Sequence, residues 1–162
     1  MHYKVRGRTF DEFEIDEEIV SGARTITEAD VVNFACLSGD FHPEHMNEEY
    51  AKKGLLGERI AHGLLVLSIA IGLLNQTGAF EGTTIAVREM GVRFLKAVKF
   101  GDTIRAVQKV VNKQETRKQD RGILKSLVVV LNQDDQTVLE ADLVLLLYRQ
   151  GWTPLAGQQA KS

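Results

Sequence analysis

The segment HGLLVLSIAIGLLNQTG, residues 62–78, decides the fold. Its apolar residues run almost all the way round a helical cylinder, a pattern that requires burial. The apolar run from Leu64 to Leu74 is too short to cross a bilayer, so the burial must be inside protein. Everything after Gly82 offers the covering layer. TTIAVREMGVRF (83–94), DTIRAVQKVVNKQETR (102–117), RGILKSLVVVLNQ (121–133) and TVLEADLVLLLYR (137–149) read as strands, separated by turns at Lys99–Asp102, Lys118–Gly122 and Gln133–Gln136. In the last strand Leu139, Ala141, Leu143, Leu145 and Leu147 share one face, because side chains alternate across a strand. One apolar helix and several long antiparallel strands imply an α+β chain in which a curved sheet wraps the helix.

Upstream, Thr27 and Asp30 fit a capping-box-like start for a first helix, with Val31, Phe34, Ala35 and Leu37 on its apolar face and a stop at Ser38-Gly39. Cys36, the single cysteine, lies within this apolar pattern and is expected to be a buried, unreactive thiol in a reducing compartment. The next stretch, SGDFHPEHMNEEYAKKG (38–54), reads as a loop punctuated by Gly39 and Pro43, then a short helix capped by Asn47 and ended by Gly54. A length of 162 residues is enough for one core. We expect a single hot-dog domain over residues 1–150, with the tail GWTPLAGQQAKS (151–162) prone to fray. The N-terminal stretch MHYKVRGRTFDEFEIDEEI has no apolar core of a secretion signal, so a cytoplasmic location is expected. With 20 basic and 22 acidic residues and a net charge of -2, no basic stripe is available for nucleic acid or for an anionic membrane.

Three of the four histidines, His42, His45 and His62, cluster with Asp40 in residues 40–62. Asp40 and His45 flank a Gly/Pro-punctuated loop, where a scaffold can present polar side chains. Read blandly, Asp40 caps a turn and His45 is a surface histidine. Imidazole and carboxylate are ordinary zinc ligands, but Pro43 breaks helical i, i+4 presentation, and we expect no metal. His62-Gly63 opens the buried helix. A helix N-terminus offers unpartnered N–H groups and the positive end of the macrodipole, suited to a developing oxyanion, and Gly63 lets a ligand come close to the backbone. The bland reading is that Gly63 only packs against a strand.

SGDFHPEHMNEEYA (38–51) followed by RIAHGLLVLS (59–68) resembles the hydratase motif of the MaoC-like dehydratases, the (R)-specific enoyl-CoA hydratases: GD, one residue, NP, one residue, H. GVRFLKAVKFGDTIRA (91–106) resembles that family's strand-turn-strand segment, and the likeness extends over roughly residues 20–148. The resemblance implies the hot-dog fold and reversible hydration of a trans-2-enoyl-CoA thioester to an (R)-3-hydroxyacyl-CoA. It implies Asp40 and His45 as the catalytic pair, and Gly63 as backbone donor to the thioester oxygen. His42, His62 and Ser68 are expected to line the substrate site, at the interface of a homodimer or an assembly of dimers, without a cofactor. His42 stands where the family has Asn, and Ala97 where a proline is common. The competing readings are a hot-dog acyl-CoA thioesterase, in which an acidic residue directs water at the carbonyl carbon, and a non-catalytic acyl-CoA-binding protein.

Overall fold

The computed structural model of the chain describes residues 5–154, so most of the expected tail, from residue 155 on, lies outside the described residues. A single 3-10 turn at Phe10–Glu12 leads into β1 (Glu18–Thr25). Helices α1 (Glu28–Ser38), α2 (Pro43–Met46), α3 (Glu48–Ala51) and α4 (Gly63–Gln76) follow, and then β2 (Thr84–Phe94), β3 (Thr103–Glu115), β4 (Arg121–Leu131) and β5 (Thr137–Tyr148). All pairings are antiparallel, in the order β1-β3-β4-β5-β2. The α+β hot-dog arrangement predicted from residues 62–149 is the one that forms.

Alternation drives the packing. Ile104, Ala106, Gln108 and Val110 of β3, Leu124, Ser126, Val128 and Val130 of β4, and Leu139, Ala141, Leu143, Leu145 and Leu147 of β5 all point inward and are buried. Against them lie Leu65, Val66, Ile69, Ala70, Leu73 and Leu74 of α4. Register shifts in β1, β2 and β3 mark bulges, which bend strands and raise their twist, and so help the sheet curl around a single helix. The polar pair inside is matched internally: Gln108 Nε2 donates to Ser126 Oγ at 3.1 Å.

Four expectations change. The strand β1 does not show in the sequence pattern, because Ser21-Gly22 sits in its bulge and interrupts the alternation; Ser21 Oγ instead accepts from Ala106 N at 2.9 Å. Helix α4 is not buried all round: Leu64 is 59% exposed, and Ser68 lies on the same open stripe. On α1 only Val31 and Ala35 are buried, so Cys36 is exposed and Leu37 is 86% exposed, both turned away from that i, i+4 seam. The stretch 38–54 is more helical than expected, with Pro43 at the first position of α2 rather than in a loop. Pro fits there because its missing N–H would have no helical partner.

Candidate active site

Helix α1 begins as the spacing predicts, with Thr27 and Asp30 forming a reciprocal capping box. It ends at Gly39, whose φ of 79° is the left-handed conformation that glycine reaches without steric cost. That turn throws Asp40 clear of the helix. Asp40 N donates to Ser38 Oγ at 3.2 Å, and its Oδ1 accepts from His42 N at 3.3 Å. This leaves Oδ2 open. His42 caps α2, its Nδ1 accepting from Glu44 N at 3.4 Å, and its ring is exposed. Asn47 caps α3 through Tyr50 N at 3.0 Å, as its position predicts.

His45, on the single turn of α2, reaches across to Ile60, with Nδ1 2.8 Å from the Ile60 carbonyl oxygen. A carbonyl only accepts, so Nδ1 carries the proton in this bond and Nε2 is the nitrogen with a free lone pair in the neutral ring. Ile60 is itself fixed: it forms an antiparallel bridge with Lys99, and Ala61 N donates to Val98 O at 2.8 Å. Arg59 next to it joins Glu28 at the start of α1, at 2.6 Å, to Glu48 of α3, at 3.0 Å, and stacks over Phe100. The Glu28 hydrogen bond, and then that of Glu48, hold the Arg59 guanidinium more firmly protonated than usual.

His62 differs from its neighbours in being 2% exposed. Its ring lies between Phe34, 5.0 Å away, and His45, 3.8 Å away between centroids. Its Nε2 is 2.9 Å from the Asp40 main-chain oxygen and 3.9 Å from Asp40 Oδ2. A carboxylate oxygen of Asp40 and one ring nitrogen each from His45 and His62 lie within 4.8 Å of one another. That donor set has the composition of a metal site but not the geometry. Rings stacked at 3.8 Å with 34° between planes cannot both aim an in-plane lone pair at one ion about 2 Å beyond each nitrogen. Two hydrogen bonds of about 2.8 Å meeting at one water near the tetrahedral angle span about 4.6 Å, which falls inside that 4.8 Å limit.

Gly63 is the first residue of α4, and its N–H has no partner among the described residues. A Cβ there would sit 2.6 Å from the Phe94 ring, so the expected packing against a strand is real. Gly63 borders a cavity of about 400 Å³ with Ile60, Leu64, Phe94, Leu95 and Val138. Asp40, His42, His45 and His62 are not on its walls, and Asp40 is 52% exposed. Ser68, expected to line the site, is exposed, and its hydroxyl donates to Leu64 O at 2.8 Å, which leaves its acceptor lone pairs open. His62, also expected to touch substrate, is buried behind Asp40 and His45. What pattern reading missed is the part played by Arg59 and Ile60: both lie in the RIAHGLLVLS stretch, but only their contacts show what they hold.

Residues 12–131 match the MaoC-like domain family. The chain is 40% identical over 114 residues to protein MaoC of Klebsiella aerogenes, covering 70% of this chain but 33% of that protein. It is 32% identical over 142 residues to the uncharacterised Bacillus subtilis protein YdeM, covering 86% of this chain and 98% of that one. An (R)-specific enoyl-CoA hydratase of Rhodospirillum rubrum is 36% identical over 84 residues, 52% of this chain and 57% of the relative. Thus the chain spans about a third of the Klebsiella protein and little more than half of the hydratase. Among solved structures, a monoamine oxidase regulatory protein from Archaeoglobus superposes with a TM-score of 0.83 at 38% identity, over 89% of this chain and 96% of that one. The (R)-hydratase of Aeromonas caviae shares the fold at a TM-score of 0.68 and 24% identity, over 83% and 96% of the two chains. No helix among the described residues is long and apolar enough to cross a membrane. With the GD-to-H segment and the helix-opening His62-Gly63 both inside the matched range, the chain belongs to the MaoC-like hydratase and dehydratase family.

Proposed function

We propose that the protein adds water reversibly across the double bond of a trans-2-enoyl-CoA thioester to give the (R)-3-hydroxyacyl-CoA. The observation that carries this reading is the Asp40 carboxylate and the His45 imidazole brought within 4.8 Å of each other, with the His45 tautomer set by the Ile60 carbonyl. Hydration needs a base to deprotonate water as its oxygen bonds to C3, a proton for C2, and a donor for the charge that develops on the thioester oxygen. Asp40 and His45 Nε2 hold the water. Its proton leaves to this pair and is returned to C2, so the atoms of one water are added and nothing is oxidised or reduced. The Gly63 N–H, at the positive end of α4, takes the enolate oxygen. The thioester already makes C3 electrophilic, and this sequence uses no redox cofactor.

The site is half-open in a single chain, whereas such electrostatics gain strength in a dry enclosure. Among the described residues β2 pairs only with β5, so its other edge is free. Val87 and Phe94 on it, and Leu64 on α4, are each more than half exposed. A free edge with apolar neighbours suits a second copy, and we assign the working form to a homodimer. A panel of enoyl-CoA thioesters, followed by loss of the conjugated absorbance and chiral analysis of the product, tests the activity. Release of free thiol without that loss would instead identify a thioesterase, and binding without either change a carrier. Light scattering that finds an active monomer would refute the dimer.

A further inference from the structure

We propose that His62 is a positioning residue of this site: its Nε2–H fixes the main chain of Asp40 while its ring forms the floor against which His45 stands. This rests on the hydration reading above. Three observations converge on the ring. The Asp40 carbonyl can only accept, so the 2.9 Å contact requires the proton on Nε2. The neutral ring then has a bare lone pair on Nδ1, and that atom is buried without a hydrogen-bond partner among the described residues. The ring is held on its two sides by Phe34 at 5.0 Å and His45 at 3.8 Å.

The unpaired Nδ1 calls for an explanation. A buried acceptor without a donor is a standing cost that a phenylalanine or leucine would avoid in the same slot. A functional task for the other end of the group is one such explanation. Here the other end is Nε2, and its partner is the backbone of the residue whose carboxylate faces the water. Asp40 follows the left-handed turn at Gly39 and has no strand or helix of its own to hold it, so its remaining ties are Ser38 Oγ and His42 N, at 3.2 and 3.3 Å. The contact to His62 is the shortest of the three and the only one to another element of the fold. Losing it frees the Asp40 main chain to rotate about Gly39, and a misplacement near 1 Å is enough to lower turnover about a hundredfold. The Asp40 carboxylate and the His45 ring would remain chemically intact but no longer share one water.

The test separates the donor from the ring. His62→Phe keeps an aromatic floor and removes Nε2–H; His62→Gln removes the ring and can place an amide N–H near the old Nε2 position. With wild type hydrating enoyl-CoA, His62→Phe is expected to lower kcat about 10–100-fold with KM changed less than about threefold, and His62→Gln, which restores the donor but not the floor, to recover part of that loss. A fully active His62→Phe, or a His62→Gln as impaired as His62→Phe with both folded, overturns the donor role. Nitrogen-15 correlation spectra of the imidazoles give a readout that does not need turnover. They should show His62 protonated on Nε2 and His45 on Nδ1, and a Nδ1–H tautomer at His62 overturns the inference. If wild type hydrates no enoyl thioester but the tautomers are as expected, the functional reading fails while the positioning of Asp40 by His62 stands.

Discussion

Replacing Asp40 with asparagine separates chemistry from architecture at this site. The Asp40 side chain is 52% exposed, and among the described residues the one hydrogen bond it accepts at a carboxylate oxygen is that from His42 N, which an asparagine Oδ1 would keep. The tie to His62 runs through the main-chain oxygen and is untouched by the change. Folding stability should therefore move by no more than about 0.5 kcal/mol, as for surface substitutions that break no buried contact. Turnover should fall by about 10²–10⁴-fold, the range for losing a positioned proton-transfer group, which is about 3–5 kcal/mol on the barrier. The proposed mechanism places that loss in kcat, because it needs a carboxylate lone pair of Asp40 on the attacking water and an amide nitrogen would donate there instead. The assay is initial-rate hydration of an enoyl-CoA that wild type accepts, read by absorbance, beside a denaturant melt of both proteins. If purified, equally stable Asp40→Asn turns over within about threefold of wild type, Asp40 is not the base.

Gly63→Ala would place a methyl group 2.6 Å from the Phe94 ring and push that half-exposed ring into the cavity; kcat/KM should fall about a hundredfold or more, with about 1–3 kcal/mol of overpacking cost, and unchanged kinetics would remove Gly63 from the site. His42→Asn keeps a side chain favoured at a helix start, so α2 should survive. If the exposed imidazole selects polar or carboxylated acyl groups, their rates should drop relative to plain alkyl enoyl-CoAs; an unchanged ranking in a substrate panel would leave His42 as a cap alone. Acid should loosen the N-terminal region. Hydrogen bonds from Thr9, its backbone N–H first, hold the Glu12 carboxyl below its ordinary range, and the Arg8 side chain does the same for Glu17. Folded values below the unfolded one, about 4.3, mean that this stability is full above that pH and is lost as pH falls through the lower folded values. Denaturant midpoints measured from pH 6 to pH 3 should show that loss, reduced in Glu12→Gln, and a pH-independent midpoint would contradict it.

The fold was legible where the sequence repeats a period. The last four strands and their turns follow from alternation, and α1 from its Thr27–Asp30 box, since these signals are local and each residue's side is set by the backbone repeat. The strand β1 hid because a bulge at Ser21-Gly22 breaks the alternation, and the open stripe of α4 hid because hydrophobicity alone does not say which apolar side a sheet leaves uncovered. Asp40, His45 and Gly63 stood out by type and spacing, and the fold brings Asp40 and His45 together as that spacing implies. What the sequence could not supply was which of these groups is exposed and which is packed behind the others. Ser68 matched a motif position, but that its O–H is donated to Leu64 O is set by the helix, and His62 stood beside Gly63 in the chain yet packs against His45 and the Asp40 main chain. Those distinctions depend on contacts between residues far apart in sequence, Ile60 with His45 and Asp40 with His62, and only the closed chain sets those distances.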